Sequence, residues 1–440
     1  MKKTSLIAGL ALVAGLGIAF AQTNAGGNLV PNAPTVPSIG STDVFQDVVG
    51  GFPQANSQYA TAAQVGGYGS TLFGGNYDNA LIGGDFSTNL FQRGTSVSLT
   101  SSTYYVAYGA DRWFTWGGTS TPATMTQQTG STDIPTGTTA SYRINKGSLT
   151  GVLQICTSQV LEGSNAVRFQ GQTAEFTFEA KAGPTFSAAS SNLAVYVSTG
   201  TVVDEGATKM AYGLNAQGGA GTTAWTGQVN LGGTGGFLIP ITTSFGRYGV
   251  AVPIPSGALE IGVTICYTPV GTGTSTDWFE FGKAQFTANP AVTAFAGTSG
   301  AAYSLNDPRM KSFARRQIEV ETALQQRYLY TLAEPAGATG VATGSAATTT
   351  TCQTSIPFPV TMRIAPTFTA LGTALGTSTW KIRSVATDTA LATTFYVTTT
   401  ANTMSNAYGT WTVASGLTAG NACAPIGAGG GSILSWSAEL

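Results

Sequence analysis

NALIGGDFSTNLFQRGTSVSLTSSTYYVAYGADRWFTWG, residues Asn79 to Gly117, is the stretch from which the rest of the chain is read. It holds two dense clusters, Gly84-Asp85-Phe86 running on to Phe91-Gln92-Arg93-Gly94-Thr95-Ser96, and Ala110-Asp111-Arg112-Trp113, joined by a run rich in Thr, Tyr and Val. β-branched and aromatic residues at that density favour strands. Each cluster sets a charge pair among aromatics, as happens where an amphipathic strand ends and an Arg stacks on a ring or pairs with an acid. The expectation is a structural corner rather than a ligand site.

Downstream, to about residue 300, short strands alternate with turns. Glu175-Phe176-Thr177-Phe178-Glu179 puts two Phe on one face, and Leu193-Ala194-Val195-Tyr196-Val197 and Ile261-Gly262-Val263-Thr264-Ile265-Cys266-Tyr267 read as more deeply buried strands. Many strands with Gly/Thr turns and no helical period predict a β-sandwich of jelly-roll type over 79–306. One helix is predicted over 307–335. Asp307 can cap it, Pro308 suits its first position and Pro335 forbids its continuation. On a helical wheel Met310, Phe313, Ala314, Val320, Leu324, Tyr328 and Leu332 form a stripe roughly 120° wide. Arg309, Lys311, Arg315 and Arg316 would then crowd the end where the dipole disfavours cations, with Arg315–Glu319 as a local i,i+4 answer. An Ala/Gly/Thr linker follows over 336–351, then alternation resumes in Trp380-Lys381-Ile382-Arg383 and Thr394-Phe395-Tyr396-Val397, giving a smaller β-sandwich domain over 352–440.

Upstream, 22–78 is rich in Gly, Ala, Pro, Asn and Gln without sustained periodicity and reads as an extended arm that orders against a partner. Met1-Lys2-Lys3, the apolar run Leu6 to Phe20 and the site Ala19-Phe20-Ala21 describe a signal peptide over 1–21; an uncleaved N-terminal anchor is the alternative.

The pattern G-D-F … F-Q-R-G-T-S … Y-x-A-D-R-W, followed in order by Phe176 to Ala182, Leu259 to Gly262, Leu324 to Tyr328 and Phe358 to Thr367, resembles bacteriophage and prophage tail-fibre or virion-appendage proteins built on a jelly-roll module. The resemblance runs through most of the chain after residue 78. It implies a noncatalytic structural protein at a virion surface, a homo-oligomer of trimeric kind with contacts from the arm and the helix, and binding to host-surface glycan or another virion protein. The signal-like segment departs from that pattern, because virion proteins assemble in the cytoplasm. A secreted, surface carbohydrate-binding protein is therefore carried as the alternative, and a polysaccharide-cleaving enzyme as a third.

Composition narrows the chemistry. Of 440 residues 42% are hydrophobic and only 9% charged, so the surface must be Thr, Ser, Asn, Gln and Gly. A net charge of −1 without a basic run gives no footprint for nucleic acid. No histidine occurs, which removes Ser-His-Asp and Cys-His catalysis, and neither a metal site nor a cofactor motif is expected. Cys156, Cys266, Cys352 and Cys423 allow three connectivities, of which Cys156 with Cys266 and Cys352 with Cys423 keeps each bridge within one domain; free buried thiols are the alternative. Glu175 and Glu179 share a strand face, but ~13 Å of strand separates them, too far for a glycosidase pair. Asp204-Glu205, and Asp277 with Glu280, remain able to meet an acid across the sheet. For ligand binding the candidates are aromatics on polar strands, Tyr104, Tyr105, Tyr108, Trp116, Trp225 and Trp278, whose faces could stack on sugars or else fill the core.

Overall fold

The computed structural model describes residues 44–47, 58–61, 79–87, 91–99, 105–117, 123–146, 153–214, 223–270, 274–289, 300–333, 340–372, 380–385, 387–390, 396–397, 402–427 and 432–439. The segment 1–21, expected from sequence to be a signal peptide, and most of the expected arm over 22–78 lie outside them. Within Met1–Gly75, a separate unit, Val44–Asp47 pairs antiparallel with Gln58–Thr61. Everything from Asn76 onward forms one compact unit with two large cores.

Eight strands carry the first core: β1 (Ser141–Asn145), β2 (Ile155–Leu161), β3 (Thr173–Ala182), β4 (Asn192–Gly200), β5 (Phe237–Pro240), β6 (Gly246–Pro253), β7 (Glu260–Tyr267) and β8 (Trp278–Ala288). They pair antiparallel as β1-β8-β3-β6 in one sheet and β2-β7-β4-β5 in the other. Successive strands cross between the sheets everywhere except β4 to β5, and that winding is a jelly roll. Ala123–Gln128 and Ser96–Leu99 extend the first sheet beyond β1, and Phe114–Gly117 and Tyr105–Tyr108 extend the second beyond β2.

Alternation decides which side chains go inside. Phe176 and Phe178 from β3, Phe279 and Phe281 from β8, and Leu193, Val195 and Val197 from β4 meet between the sheets. The second sheet is buried on its other face as well. A helix at Ala207–Leu214 and the Trp225 loop cover it, packing Met210 and Trp225 with Trp116 around Cys156 and Cys266. That double burial is why β4 and β7 read as nearly continuous apolar runs. The outer face of the first sheet is polar: Arg143, Glu280 and Lys181 stand directly opposite one another on β1, β8 and β3.

Both disulfides form, Cys156–Cys266 across paired strands β2 and β7, and Cys352–Cys423 in the C-terminal sandwich. The C-terminal core sets Trp380 against Trp411, tilted, at 5.4 Å, and includes Trp436.

The predicted helix over 307–335 is corrected. Helix exists only at Ile318–Gln326, and Leu329–Ala333 is a strand paired to Ser432–Ser437. The cause lies on the first sheet's outer face. Buried Glu175 accepts the Lys311 N–H at 2.9 Å, and buried Gln285 accepts that of Ala314 at 2.6 Å while donating to the Ser312 carbonyl at 3.2 Å. Those side chains take the backbone groups that a helix would use on itself, so the residues before Ile318 lie as a strap over the sheet. Asp307 accordingly pairs with Arg309 at 2.6 Å rather than capping a helix, and Arg315 lies 3.5 Å from Asp85 rather than bonding Glu319. The apolar stripe dissolves with the helix: Met310, Ala314 and Tyr328 are buried within this unit. The boundaries at 336–351 and 352 shift too, since Gly344–Ala346 is a strand of the C-terminal sheet. The short helices Gly163–Ala166 and Ala207–Leu214 were not expected from periodicity.

Candidate functional site

The aromatics singled out for stacking on sugars do not form a site. Trp116 and Trp225 are buried in the small core behind the second sheet. Trp278 is 7% exposed and lies beneath the Arg143 guanidinium, 4.0 Å from its ring centroid. Tyr108 packs under Arg93 at 4.8 Å, and burial drives its hydroxyl pKa well above the ordinary value. Tyr104 and the side chain of Tyr105 fall outside the described residues. The sequence left open whether these rings faced out; those of Trp116 and Trp225 turn inward because both faces of the second sheet are covered, and that of Trp278, on β8 of the first sheet, lies under Arg143.

The two clusters of the opening stretch do converge, as a corner. Gln92 donates to Asp111 at 2.7 Å, and Arg93 bridges Asp111 at 3.4 Å and Glu439 at 3.3 Å. Arg112 is 2% exposed, donates to the Val160 carbonyl at 2.6 Å, pairs with Glu439 and stacks on Tyr328. These contacts join the jelly roll to the C-terminal sandwich.

The acids considered for catalysis are committed to partners, and most are buried. Glu175 accepts from Tyr303 at 2.8 Å and Asn289 at 2.7 Å, while Glu179 pairs with Lys283 at 2.8 Å. Asp204-Glu205 does meet an acid across the sheet: Glu260 accepts the Glu205 N–H at 3.0 Å, and burial pushes its carboxyl up to about 8. Yet Glu260 has no exposed surface through which a substrate could reach it. Glu280, raised to about 7 by burial, pairs with Arg143 and lies 3.3 Å from Lys181. Asp277, also buried, holds Ser187 at 2.7 Å. Among the described residues no group of three or more acids, cysteines or histidines could hold a metal ion.

Among the described residues, a cleft of about 200 Å³ opens to solvent between the segment at Asn79–Ser87 and the strap and helix at 313–321. The strand pairing explains it. β8 bulges against β3 between Gly282 and Gln285, and Asn79 fills the irregularity, accepting the Phe286 N–H at 3.1 Å and donating to the Ala284 carbonyl at 3.1 Å. Gly84 approaches Ala284 so closely that a Cβ would sit 1.9 Å from its carbonyl oxygen. Phe86 then locks the segment into the core against Tyr142 and Phe281, at 5.1 and 4.9 Å. Opposite, Arg316 donates to the carbonyls of Leu81, at 2.8 Å, and Asn79, and pairs with Glu321 at 2.9 Å; Glu321 in turn accepts the Gly83 N–H.

The resulting walls combine Phe313 and the half-exposed Ile318 with Arg315, Asp85, Ser87 and Thr139. Arg315 is 47% exposed at the mouth, anchored by the Gly137 carbonyl at 2.6 Å. Ser87 Oγ and Arg316 Nε are buried with no hydrogen-bond partner. Such a mixture of apolar surface and convergent polar groups fits a small, neutral, polar ligand. Sequence reasoning missed the cleft because its parts are far apart in the chain; only the Gly84-Asp85-Phe86 cluster marked one wall.

No family model matches the chain, and no curated protein does. Among solved structures, the chain is similar to the enzymatically active domain of bacteriophage CBA120 tailspike protein 4, with 11% identity, 48% of this chain and 22% of that chain covered, and a TM-score of 0.26. A second similarity is to TmCBM61 in complex with β-1,4-galactotriose, at 10% identity, 48% and 98% coverage and a TM-score of 0.26. A third is to the CBM22-1–GH10 modules of Clostridium thermocellum xylanase 10B with xylohexaose, at 12% identity, 43% and 28% coverage and 0.24. The strand order itself establishes the jelly roll; likenesses at these scores carry no argument about function.

Proposed function

We propose that the protein is a noncatalytic structural and carbohydrate-binding component of an extracellular or virion surface, which holds glycan in the cleft beneath Arg315. The observation that carries this reading is the cleft itself, where Phe313 offers a ring and Asp85, Ser87, Thr139 and Arg315 offer hydroxyl partners in one concavity. Two disulfides suit an oxidising compartment outside the cytoplasm. Noncatalytic action fits the acids present. Glu321 at the cleft is already committed to Arg316 and the Gly83 N–H, and the carboxyls that burial raises into the range of a general acid, Asp111, Glu260 and Glu280, are wholly buried and do not line it. Assembly of several copies, with contacts from the arm over 22–78, belongs to the same proposal.

A glycan array probed with the purified protein tests the reading. Binding is expected to at least one glycan class, lost in Phe313→Ala and Arg315→Ala variants that keep the wild-type circular dichroism, with no shortening of the bound glycan on long incubation. Absence of binding across the array, or release of new reducing ends, overturns it.

A further inference from the structure

We infer that the cleft receives the terminal residue of an uncharged glycan, end on, and that Ser87, Asp85 and the Arg316 Nε–H select it. This rests on the carbohydrate reading above and adds the class of sugar and the direction of approach.

Size sets the direction. A cavity of about 200 Å³ matches a single sugar ring. It is walled by Asn79–Ser87 on one side and the strap on the other, a shape suited to a chain end.

Charge sets the class. Two guanidiniums and two carboxylates line the cleft, Arg315 and Arg316 against Asp85 and Glu321, and they cancel. The charge of Arg316 is absorbed by Glu321 at 2.9 Å and by two backbone carbonyls. An acidic sugar meets Asp85 and Glu321 as well as Arg315, and an amino sugar meets Arg315 as well as Asp85, so neither charge gains over a neutral ring.

Unused hydrogen-bonding capacity sets the contacts. Arg315 Nε and Asp85 Oδ2 stand 3.5 Å apart, longer than a good hydrogen bond, so each has capacity left for a ligand. A donor beside an acceptor at that spacing matches vicinal hydroxyls, one accepting from Arg315 and its neighbour donating to Asp85. Deeper in, Ser87 is 8% exposed and its hydroxyl has no partner, and Arg316, whose side chain is 7% exposed, carries an Nε–H that likewise has none. Buried polar groups without partners are exceptions that call for a cause. Both residues line the cleft, and hydroxyls of a bound sugar are the partners we assign to them.

The test is calorimetric titration of the full chain with methyl glycosides of neutral hexoses, the matching uronates and hexosamines, and sodium sulfate as an anion control. Neutral glycosides are expected to bind at least tenfold more tightly than the uronates. Ser87→Ala is expected to weaken neutral-sugar binding about tenfold, the effect of one lost hydrogen bond to a buried charged or polar group. It should leave the melting temperature of the free protein unchanged, because the hydroxyl bonds nothing there. Asp85→Asn, which keeps an oxygen for the Ser87 N–H, should narrow the gap between neutral and acidic sugars. Uronate or sulfate binding as tight as that of the neutral sugars overturns the inference and leaves carbohydrate binding standing. Equal affinity for oligosaccharides with free and blocked chain ends overturns the end-on approach. If no saccharide binds, this inference and the carbohydrate reading fall together.

Discussion

The Arg112 guanidinium lies 3.7 Å from the centre of the Tyr328 ring, a cation from the jelly roll seated on an aromatic from the segment that leads into the C-terminal sandwich. Glu439, near the end of the chain, closes the same contact from the other side. Because the site is buried, removing Arg112 leaves the Glu439 carboxylate to Arg93 alone, at 3.3 Å. Arg112→Leu is expected to destabilise the unit by about 3–5 kcal/mol. It should also split a single unfolding transition into two, since the jelly roll and the C-terminal sandwich lose the closer of the two ion pairs that Glu439 makes between them. Differential scanning calorimetry reads both effects, and an unchanged single peak would refute the coupling.

The disulfides close loops of 110 and 71 residues. Loop entropy grows only with the logarithm of length, so replacing either pair by Ala is expected to cost about 2–5 kcal/mol, with the two costs within about 0.5 kcal/mol of each other if chain entropy governs. Urea denaturation of the two double variants measures this, and a much larger loss for one pair would point to packing around that bridge instead.

Three buried acids make stability depend on pH. Burial raises Asp111 to about 7, Glu280 to about 7 and Glu260 to about 8. The native protein therefore keeps protons that the unfolded chain releases near pH 4, and stability falls as pH rises from there through 7 to 8. The salt-bridged Asp307, whose pKa is depressed by Arg309, acts oppositely and loses its contribution only below about pH 4. Melting temperature is expected to decline between pH 5 and 8.5, with a shallower slope in Glu280→Gln and Glu260→Gln. A slope identical to wild type in both variants would assign the dependence elsewhere.

Gly84→Ala places a methyl 1.9 Å from the Ala284 carbonyl oxygen, and that neighbour is backbone. A loss of about 3 kcal/mol or more is expected, with the cleft wall displaced. Gly257→Ala, where nothing lies within 4 Å of the added carbon, serves as the control and should change stability by less than about 0.5 kcal/mol. Equal effects would remove the steric account.

Strand content and sheet faces were legible in the sequence because they rest on a period of two: Phe176 and Phe178 had to share a face, and they do. The bridge between Cys352 and Cys423 followed from keeping closure within one domain. The helix was misread for the opposite reason. Met310 to Ala314 has a helical spacing of apolar residues, but Glu175 and Gln285, well over a hundred and about thirty residues earlier, needed donors and took its backbone. Local periodicity carries no information about such distant acceptors. The same limit hid the cleft, whose Arg316 reports nothing in sequence of the Leu81 carbonyl it holds.

That last bond spans 235 positions of chain. Contacts so remote close late, after the strands between them have paired, because ordering the intervening loop must come first. The cleft is thus among the last features to appear as the molecule matures. Under the proposed function, glycan capture would report on completed folding as well as on concentration, because a partly assembled chain, however rich in strand, would lack the cleft.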